Sequence, residues 1–425
     1  MEVCNNGLDD DADGLIDCYD PDCAGNAACN GAFFGQTASC TYVPAMGDFE
    51  MVPRWITDTT KYDIFSTLTP VAGDWDNDDT VEVFAYNHNG LGGGFENLGD
   101  RIYIVNGVTG AVVDSIIFGG GVRASQGNAA GMALGDLDSD GFGELVVLLE
   151  NGSYVCYEHT GALKWTSVSF TPFAAIPGIA DFDQDGNPEV YFTNGIINGQ
   201  TGATIVAPVF ALGVGTPLGN PPGSNPGLLP FGMSVATDAL PTTFCADCGG
   251  LELVAGGVVY SVNVGTNALT AQVVSANGAD GFTAIGDYDK DGDVDAIVST
   301  NMLGAPFGTD VNVFVWDIQT SAVLATSAAF PSPTFGTIGQ ANVGDFDGDG
   351  LLEIGVLTED QYIVLEDHLS SLSTKWTHAV ADESGFTASV LFDFQGDGQV
   401  EVVYQDEDSI YVFRGADGTT EANLL

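Results

Sequence analysis

Basic residues are nearly missing from this sequence: lysine and arginine number 8 in 425 residues, against 59 aspartates and glutamates, for a formal charge of −51 at pH 7. A chain this acidic repels phosphate, which excludes nucleic acid and anionic membrane surfaces as partners. Two devices relieve the self-repulsion, an acidic surface suited to high salt and bound divalent cations. Only 16% of residues are charged, so the imbalance comes from the missing bases as much as from abundant aspartate. Apolar runs of about 18 residues are also lacking, which leaves no candidate for a membrane-spanning helix. Nor does a basic region followed by an apolar stretch stand behind Met1 and Glu2, so any secretory leader is expected to have been removed or to lie outside these residues. Histidine is scarce, with His88, His159, His368 and His378 far apart, and neither GxSxG nor HExxH occurs. Converging catalytic groups are therefore not in evidence, and the chain is expected not to be an enzyme. Sustained helical periodicity is missing as well. What remains is a folded chain, 45% hydrophobic with 57 glycines and only 17 prolines.

Its organisation is a repeat. GDWDNDDTVEV at 73 recurs as GDLDSDGFGELVV at 135, ADFDQDGNPEVYF at 180, GDYDKDGDVDAIV at 286, GDFDGDGLLEIGV at 344 and FDFQGDGQVEVVY at 392. The first aspartates are Asp74, Asp136, Asp181, Asp287, Asp345 and Asp393, separated by 62, 45, 106, 58 and 48 residues. The doubled third step leaves room for a degenerate copy, and FCADCGGLELVAG at 244 keeps an acid, Glu252, and the strand behind it. Alternating runs such as VEVFAY, ELVVLL and EIGVLT, then SYVCYE, NVFVWD or QYIVLE, read as strands separated by NG, TG and DG turns. Seven units of four short antiparallel strands predict an all-β, seven-bladed β-propeller, or eight blades if a longer chain continues past residue 425. Two irregular stretches, 88–99 and 207–230, are loops that carry recognition or nothing.

The motif D-x-D-x-D-G-x-x-[DE] puts carboxylates at positions 1, 3, 5 and 9 of a tight loop. Oxygens at alternate positions of a turning backbone converge on one point and suit a hard cation that takes six to eight oxygen ligands, which is calcium. Magnesium demands stricter octahedral geometry, and zinc wants histidine or cysteine. Glycine at position 6 permits the sharp turn. Aspartate-glycine turns alone can merely favour hairpins, but six copies at one spacing argue for ligation.

These loops resemble the FG-GAP, or VCBS, repeats of integrin α-chain propellers and many bacterial surface proteins, over roughly residues 60–415. The resemblance implies calcium ligands at Asp74, Asp76, Asp78 and Glu82; at Asp136, Asp138, Asp140 and Glu144; and at Asp181, Asp183, Asp185 and Glu189. It implies the same for Asp287, Asp289, Asp291 and Asp295, for Asp345, Asp347, Asp349 and Glu353, and for Asp393, Asp397 and Glu401. Asp79 replaces the glycine of the first loop, and Gln395 replaces an acid of the last, which is expected to bind most weakly.

Five of the eight cysteines, Cys4, Cys18, Cys23, Cys29 and Cys40, crowd the first 40 residues, as expected of a small segment held by disulfides or metal in an oxidising compartment. EVCNNGLDDDADGLIDCYDPDC looks like the Cys-flanked, Asp-rich motif of bacterial surface proteins, with Asp9, Asp11, Asp13 and Asp17 as implied ligands of one more calcium ion. A purely disulfide-held acidic linker is the alternative, and five local cysteines leave the pairing open. The division is a Cys-rich segment, 1–45, and a propeller, 46–425.

Aligning Glu252 with position 9 puts Phe244, Ala246 and Cys248 at positions 1, 3 and 5, so the fourth blade is expected to hold no ion and to be pinned by a Cys245–Cys248 disulfide instead. Cys156 reads as a strand-core residue. Trp165 and Trp376 read as outer-strand residues, and by the same phase residues 51–57 around Trp55 become the outer strand of the last blade, unless the tail DGTTEANLL takes that place. The function expected is an extracellular or cell-surface adhesion or ligand-binding module whose partner is a surface protein or carbohydrate. A structural subunit of a filament or homo-oligomer, and a polysaccharide-acting enzyme, are the alternatives.

Overall fold

The apolar runs behind each aspartate loop become strands because both of their faces are covered. In Glu144–Leu148, for example, every residue is buried, and alternate side chains serve opposite neighbours. The computed structural model describes residues 52–58, 61–62, 64, 70–87, 99–118, 131–170, 175–208, 234–276, 281–301, 310–331, 338–367, 370–381, 389–396, 398–406 and 409–424. Among them are 29 strands and no helix.

Twenty-eight of those strands form seven blades, at 71–117, 132–166, 178–206, 235–274, 282–327, 342–379 and 390–424. Each is a four-stranded antiparallel meander in chain order, here numbered first to fourth. In blade 1 these are Val71–Gly73, Glu82–Tyr86, Arg101–Asn106 and Val112–Ile117. The remaining strand, Phe330–Pro331, pairs with the third strand of blade 5. The fourth strands of blades 5 and 6 are joined by a short parallel pairing, Thr326 with Ser371 and Ser327 with Leu372. This is a β-propeller of seven blades, as the repeat period predicts.

Six apolar clusters make the core, and each joins one blade to the next. Phe84 and Ile102 of blade 1 pack with Leu145 and Val147 of blade 2. Val146 and Leu148 face the other way, onto Val190 and Ile197 of blade 3. The series continues through blades 3 and 4, 4 and 5, 5 and 6, and 6 and 7. Its two ends differ. The apolar residue after the first aspartate is at most 7% exposed in Trp75, Leu137, Phe182, Tyr288 and Phe346, but Phe394 of blade 7 is 37% exposed, beside Val390 at 63% and Phe392 at 57%. On blade 1, Val81 is 48% exposed. Among the described residues, these outward faces of the end blades lack the cover that a neighbouring blade gives elsewhere.

Tryptophans lock three junctions. Trp165, in the fourth strand of blade 2, donates from Nε1 to the Gly199 carbonyl at 2.7 Å, and its ring covers Gly202. Trp376 of blade 6 repeats this on Gly415, at 2.6 Å, and on Gly418. Each covered glycine has φ of 71°, and a Cβ there would lie 2.7 or 2.6 Å from the ring. Trp55 docks in the same manner on Gly107 and Gly110 of blade 1. The expectation for its segment is nevertheless corrected: residues 52–58 form no strand, and the fourth strand of blade 7 is the tail, Thr420–Leu424. The tail wins because TEANL continues the meander directly from the turn at 415–418, without a long-range closure. Cys156 is a fully buried free thiol, and Cys245 and Cys248 are disulfide-bonded. The N-terminal cysteines and most of the two irregular stretches lie outside the described residues.

Candidate metal centres

Each motif connects the first strand of a blade to the second, and pairing of these strands brings its ends together. In blade 1 the register sets Gly73 against Glu82, which places Asp74 beside the ninth residue of the loop. Between them the backbone is wound by its own carboxylates. Position 1 accepts the amide of position 6: Asp74 from Asp79 at 2.9 Å, Asp136 from Gly141 at 2.9 Å, Asp181 from Gly186 at 2.8 Å, Asp345 from Gly350 at 2.8 Å. Position 5 accepts from the residue two further on, as Asp140 does from Phe142 at 2.9 Å. The turn needs two left-handed residues rather than the one foreseen. Position 6 includes Asp79 at φ 67°, and position 4 includes Asn77, Ser139, Gln184 and Lys290 at 57° to 61°. These polar side chains tolerate the left-handed region less well than glycine, so the loop conformation is imposed by its hydrogen bonds.

The ninth residue has a second task. Its carboxylate accepts the amide of position 2 in every copy: Glu82 from Trp75 at 3.4 Å, Glu144 from Leu137 at 2.7 Å, Glu189 from Phe182 at 3.1 Å, Asp295 from Tyr288 at 2.8 Å, Glu353 from Phe346 at 2.7 Å and Glu401 from Phe394 at 2.9 Å. One oxygen of the ninth residue thus closes the hairpin. Three carboxylates converge in five blades, each offering an oxygen within 4.8 Å of the others: Asp74, Asp76 and Asp78; Asp136, Asp138 and Glu144; Asp181, Asp183 and Glu189; Asp287, Asp289 and Asp291; Asp345, Asp347 and Glu353. Glu82, Asp140, Asp185, Asp295 and Asp349 belong to the same loops but lie outside these groups of three. Asp397 and Asp9, Asp11, Asp13 and Asp17 lie outside the described residues; Asp393 and Glu401 hold the corresponding places in blade 7.

Burial sets the electrostatics. It pushes Glu189 up to about 7 against the lowering effect of the Phe182 amide, with Asp183, Asp181 and Asp185 adding to the rise. Asp295 and Glu353 also reach about 7, chiefly through burial. Glu144 does so even though Lys164 pulls it down. Buried carboxylates facing like charge are costly unless a cation joins them. The donor set, all oxygen and all anionic, fits a hard divalent ion, and Asp287 Oδ1 is a buried oxygen with no hydrogen-bond partner.

Blade 4 departs from the expected alignment. Its first strand ends Val235-Ala236-Thr237, with Thr237 opposite Glu252, and the Glu252 carboxylate accepts from Ala239 at 2.9 Å and Leu240 at 3.0 Å. Position 1 is therefore Asp238, not Phe244, and the loop to the ninth residue is six residues longer than elsewhere. The extra length holds the Cys245–Cys248 bridge and Asp247, which accepts from Asn263 at 2.7 Å. Burial raises the pKa of Glu252, and its Oε1 has no hydrogen-bond partner.

Basic residues at these loops were not foreseen. Lys164 reaches Asp138 at 2.6 Å, and Glu144 and Glu158 at 3.2 Å each. Lys375 reaches Asp347 at 2.7 Å, Glu366 at 2.8 Å and Glu353 at 3.6 Å. Burial disfavours both ammonium charges, and their carboxylate partners more than offset it, so both pKa values are raised. In blade 7 the polarity is exchanged: Gln395 at position 3 donates to Glu421 at 3.0 Å, and Arg414 binds Glu421 at 2.7 Å. The recurring Lys-Trp pair in LKWTS and TKWTH was the available signal. Two histidines are described in full and both lie against aromatic rings: His159 stacks on Phe142 with 4.0 Å between centroids, and His378 meets Phe413 at 4.3 Å with its ring tilted.

No family model and no curated protein sequence matches the chain. Solved structures do. The biofilm matrix protein Bap1 of V. cholerae aligns with a TM-score of 0.54 at 16% identity, over 87% of this chain and 82% of that one. The exotype rhamnogalacturonan lyase YesX aligns with a TM-score of 0.50 at 15% identity, over 80% of this chain and 59% of the lyase. At such identities the likeness is one of fold, and it places this chain among propeller-like, all-β proteins.

Proposed function

We propose that the chain is an extracellular, calcium-stabilised propeller of the FG-GAP/VCBS type that acts as a binding or adhesive module in a surface or matrix setting, and not as an enzyme. The observation that carries this reading is the convergence of three carboxylates in the same loop of five blades. Fifteen like charges gathered in threes, with Glu144, Glu189 and Glu353 buried, in a chain of charge −51 call for counter-ions. The Cys245–Cys248 disulfide supports an oxidising compartment, and likeness to a biofilm matrix protein supports a matrix role. The test has two arms. Melting temperature should rise in excess calcium relative to chelator, and glycan or surface-protein arrays should show calcium-dependent capture. Equal melting in both conditions sinks the calcium reading. Turnover of a polysaccharide sinks the non-enzymatic one.

A further inference from the structure

Two of the chain's eight basic residues sit at one structural address. Lys164 is the residue before Trp165, which pairs with Cys156, and Lys375 is the residue before Trp376, which pairs with Val364. The strand register puts Val113 at this address in blade 1, before Asp114 opposite Ile104. It puts Ile205 there in blade 3, before Val206 opposite Ile196, and Leu324 in blade 5, before Ala325 opposite Val315. Two blades therefore bring an ammonium into the aspartate loop, and three bring an aliphatic side chain to the same register. Among the described residues, no ion pair joins a lysine or arginine to the motif carboxylates of blades 1, 3 and 5; Lys290, in the blade 5 loop itself, turns its ammonium towards Gly350 of blade 6, 3.5 Å from where a Cβ would stand there.

We propose that the propeller has two classes of cation seat: in blades 2 and 6 the ammonium of Lys164 or Lys375 is the resident cation and a divalent ion binds weakly, whereas the carboxylates of blades 1, 3 and 5 are ion-paired to no described ammonium and bind it tightly. This rests on the cation reading above and adds to it which blades depend on the ion. Each ammonium is ion-paired with two of the three carboxylates that converge in its blade, Asp138 and Glu144 or Asp347 and Glu353. It occupies oxygen lone pairs that calcium needs to reach six to eight ligands. It also sets a positive charge within a few ångströms of any ion held by the same oxygens, a repulsion of about tenfold or more in affinity. A third carboxylate, Glu158 or Glu366 from the third-strand side, adds a further ion pair, so the ammonium is surrounded by negative charge without metal. The same contacts tether loop to outer strand, the task an ion performs elsewhere. Chelation then loosens the loops of blades 1, 3 and 5 and leaves those of blades 2 and 6 fixed.

Native mass spectrometry of the full chain, titrated with calcium alone, tests this by counting bound ions. The variant Lys164→Met should bind one ion more than the wild type at low free calcium, Lys375→Met one more, and the double variant two more. The converse variant Ile205→Lys should bind one ion fewer. A second readout separates the idea from simple damage to the fold: Lys164→Met should melt lower than wild type in chelator and recover in saturating calcium. Wild type and double variant filling the same number of tight sites overturns the two-class assignment while leaving the cation reading intact, as does an Ile205→Lys count equal to wild type. A chain that takes up no calcium, with or without its lysines, sinks both.

Discussion

Removing metal should make this protein less stable as pH rises, the opposite of ordinary acid denaturation. Glu189 and Asp295 carry the effect. Their ordinary values of 4.5 and 3.8 are raised to about 7 in the fold by burial, with neighbouring aspartates adding to it. A group whose folded-state value lies above its unfolded one contributes stability that is whole below the unfolded value and lost as pH rises through the folded value. Ion-free protein should thus weaken between about pH 4 and pH 7 and continue to lose stability just above it. At about 1.4 kcal/mol per unit, the loss is about 3 kcal/mol from Glu189 and about 4 kcal/mol from Asp295. On the proposed reading calcium should reverse the sign, because a ligating carboxylate would be held ionised by the ion. The assay is scanning calorimetry between pH 5 and pH 8, in chelator and in excess calcium, with Glu189→Gln as control. The glutamine keeps an acceptor for the Phe182 amide and removes the titrating group, so its slope in chelator should be shallower. A melting temperature that is flat or rises with pH in chelator, or the same slope in both conditions, refutes the reasoning.

Two further outcomes follow from the packing. Trp165→Ala should cost about 3 to 5 kcal/mol, since it empties a buried site and strands the Gly199 carbonyl, and denaturant unfolding would measure it; a cost below about 1 kcal/mol would mean that the junction is not locked there. Phe392→Ser should change stability by no more than about 0.5 kcal/mol, and Phe346→Ser by several times that, because the first is 57% exposed and the second fully buried. Equal melting shifts for the two would show the outer face of blade 7 to be covered in solution.

Blade number and strand order were legible in the sequence because each repeat carries its own turn signals and its own apolar alternation, and neither depends on distant partners. Which carboxylates share a loop was legible for the same reason, but not which three converge: position 9 joins positions 1 and 3 in blades 2, 3 and 6, and position 5 does so in blades 1 and 5. Blade 4 was misaligned because counting back from Glu252 assumes a loop of constant length. Asp238 is found only once Thr237 is seen to pair with Glu252. Its remaining trace is a short apolar strand ending in aspartate, SVATDAL. The lysines were missed for a different reason. Lys164 lies 26 residues after Asp138, and nothing local to either residue says that the fourth strand folds back over the first loop of its own blade. The closing role assigned to Trp55 failed because periodic phase identifies which blade a tryptophan docks on, not which strand supplies it.

The uncovered outer faces of blades 1 and 7 have a consequence for how the molecule opens. Among the described residues each interior blade is held by two apolar interfaces and each end blade by one, so stability should behave as a line of nearest-neighbour couplings rather than as a single block. Fluctuations that detach a blade cost one interface at an end and two in the middle. Amide protection should therefore climb from the ends towards blades 3 to 5, and fraying, proteolysis and refolding should all run along that gradient. In such an assembly the tryptophan clasps matter most where they sit nearest the ends, on blade 1 through Trp55 and between blades 6 and 7 through Trp376, since those are the joints that part first.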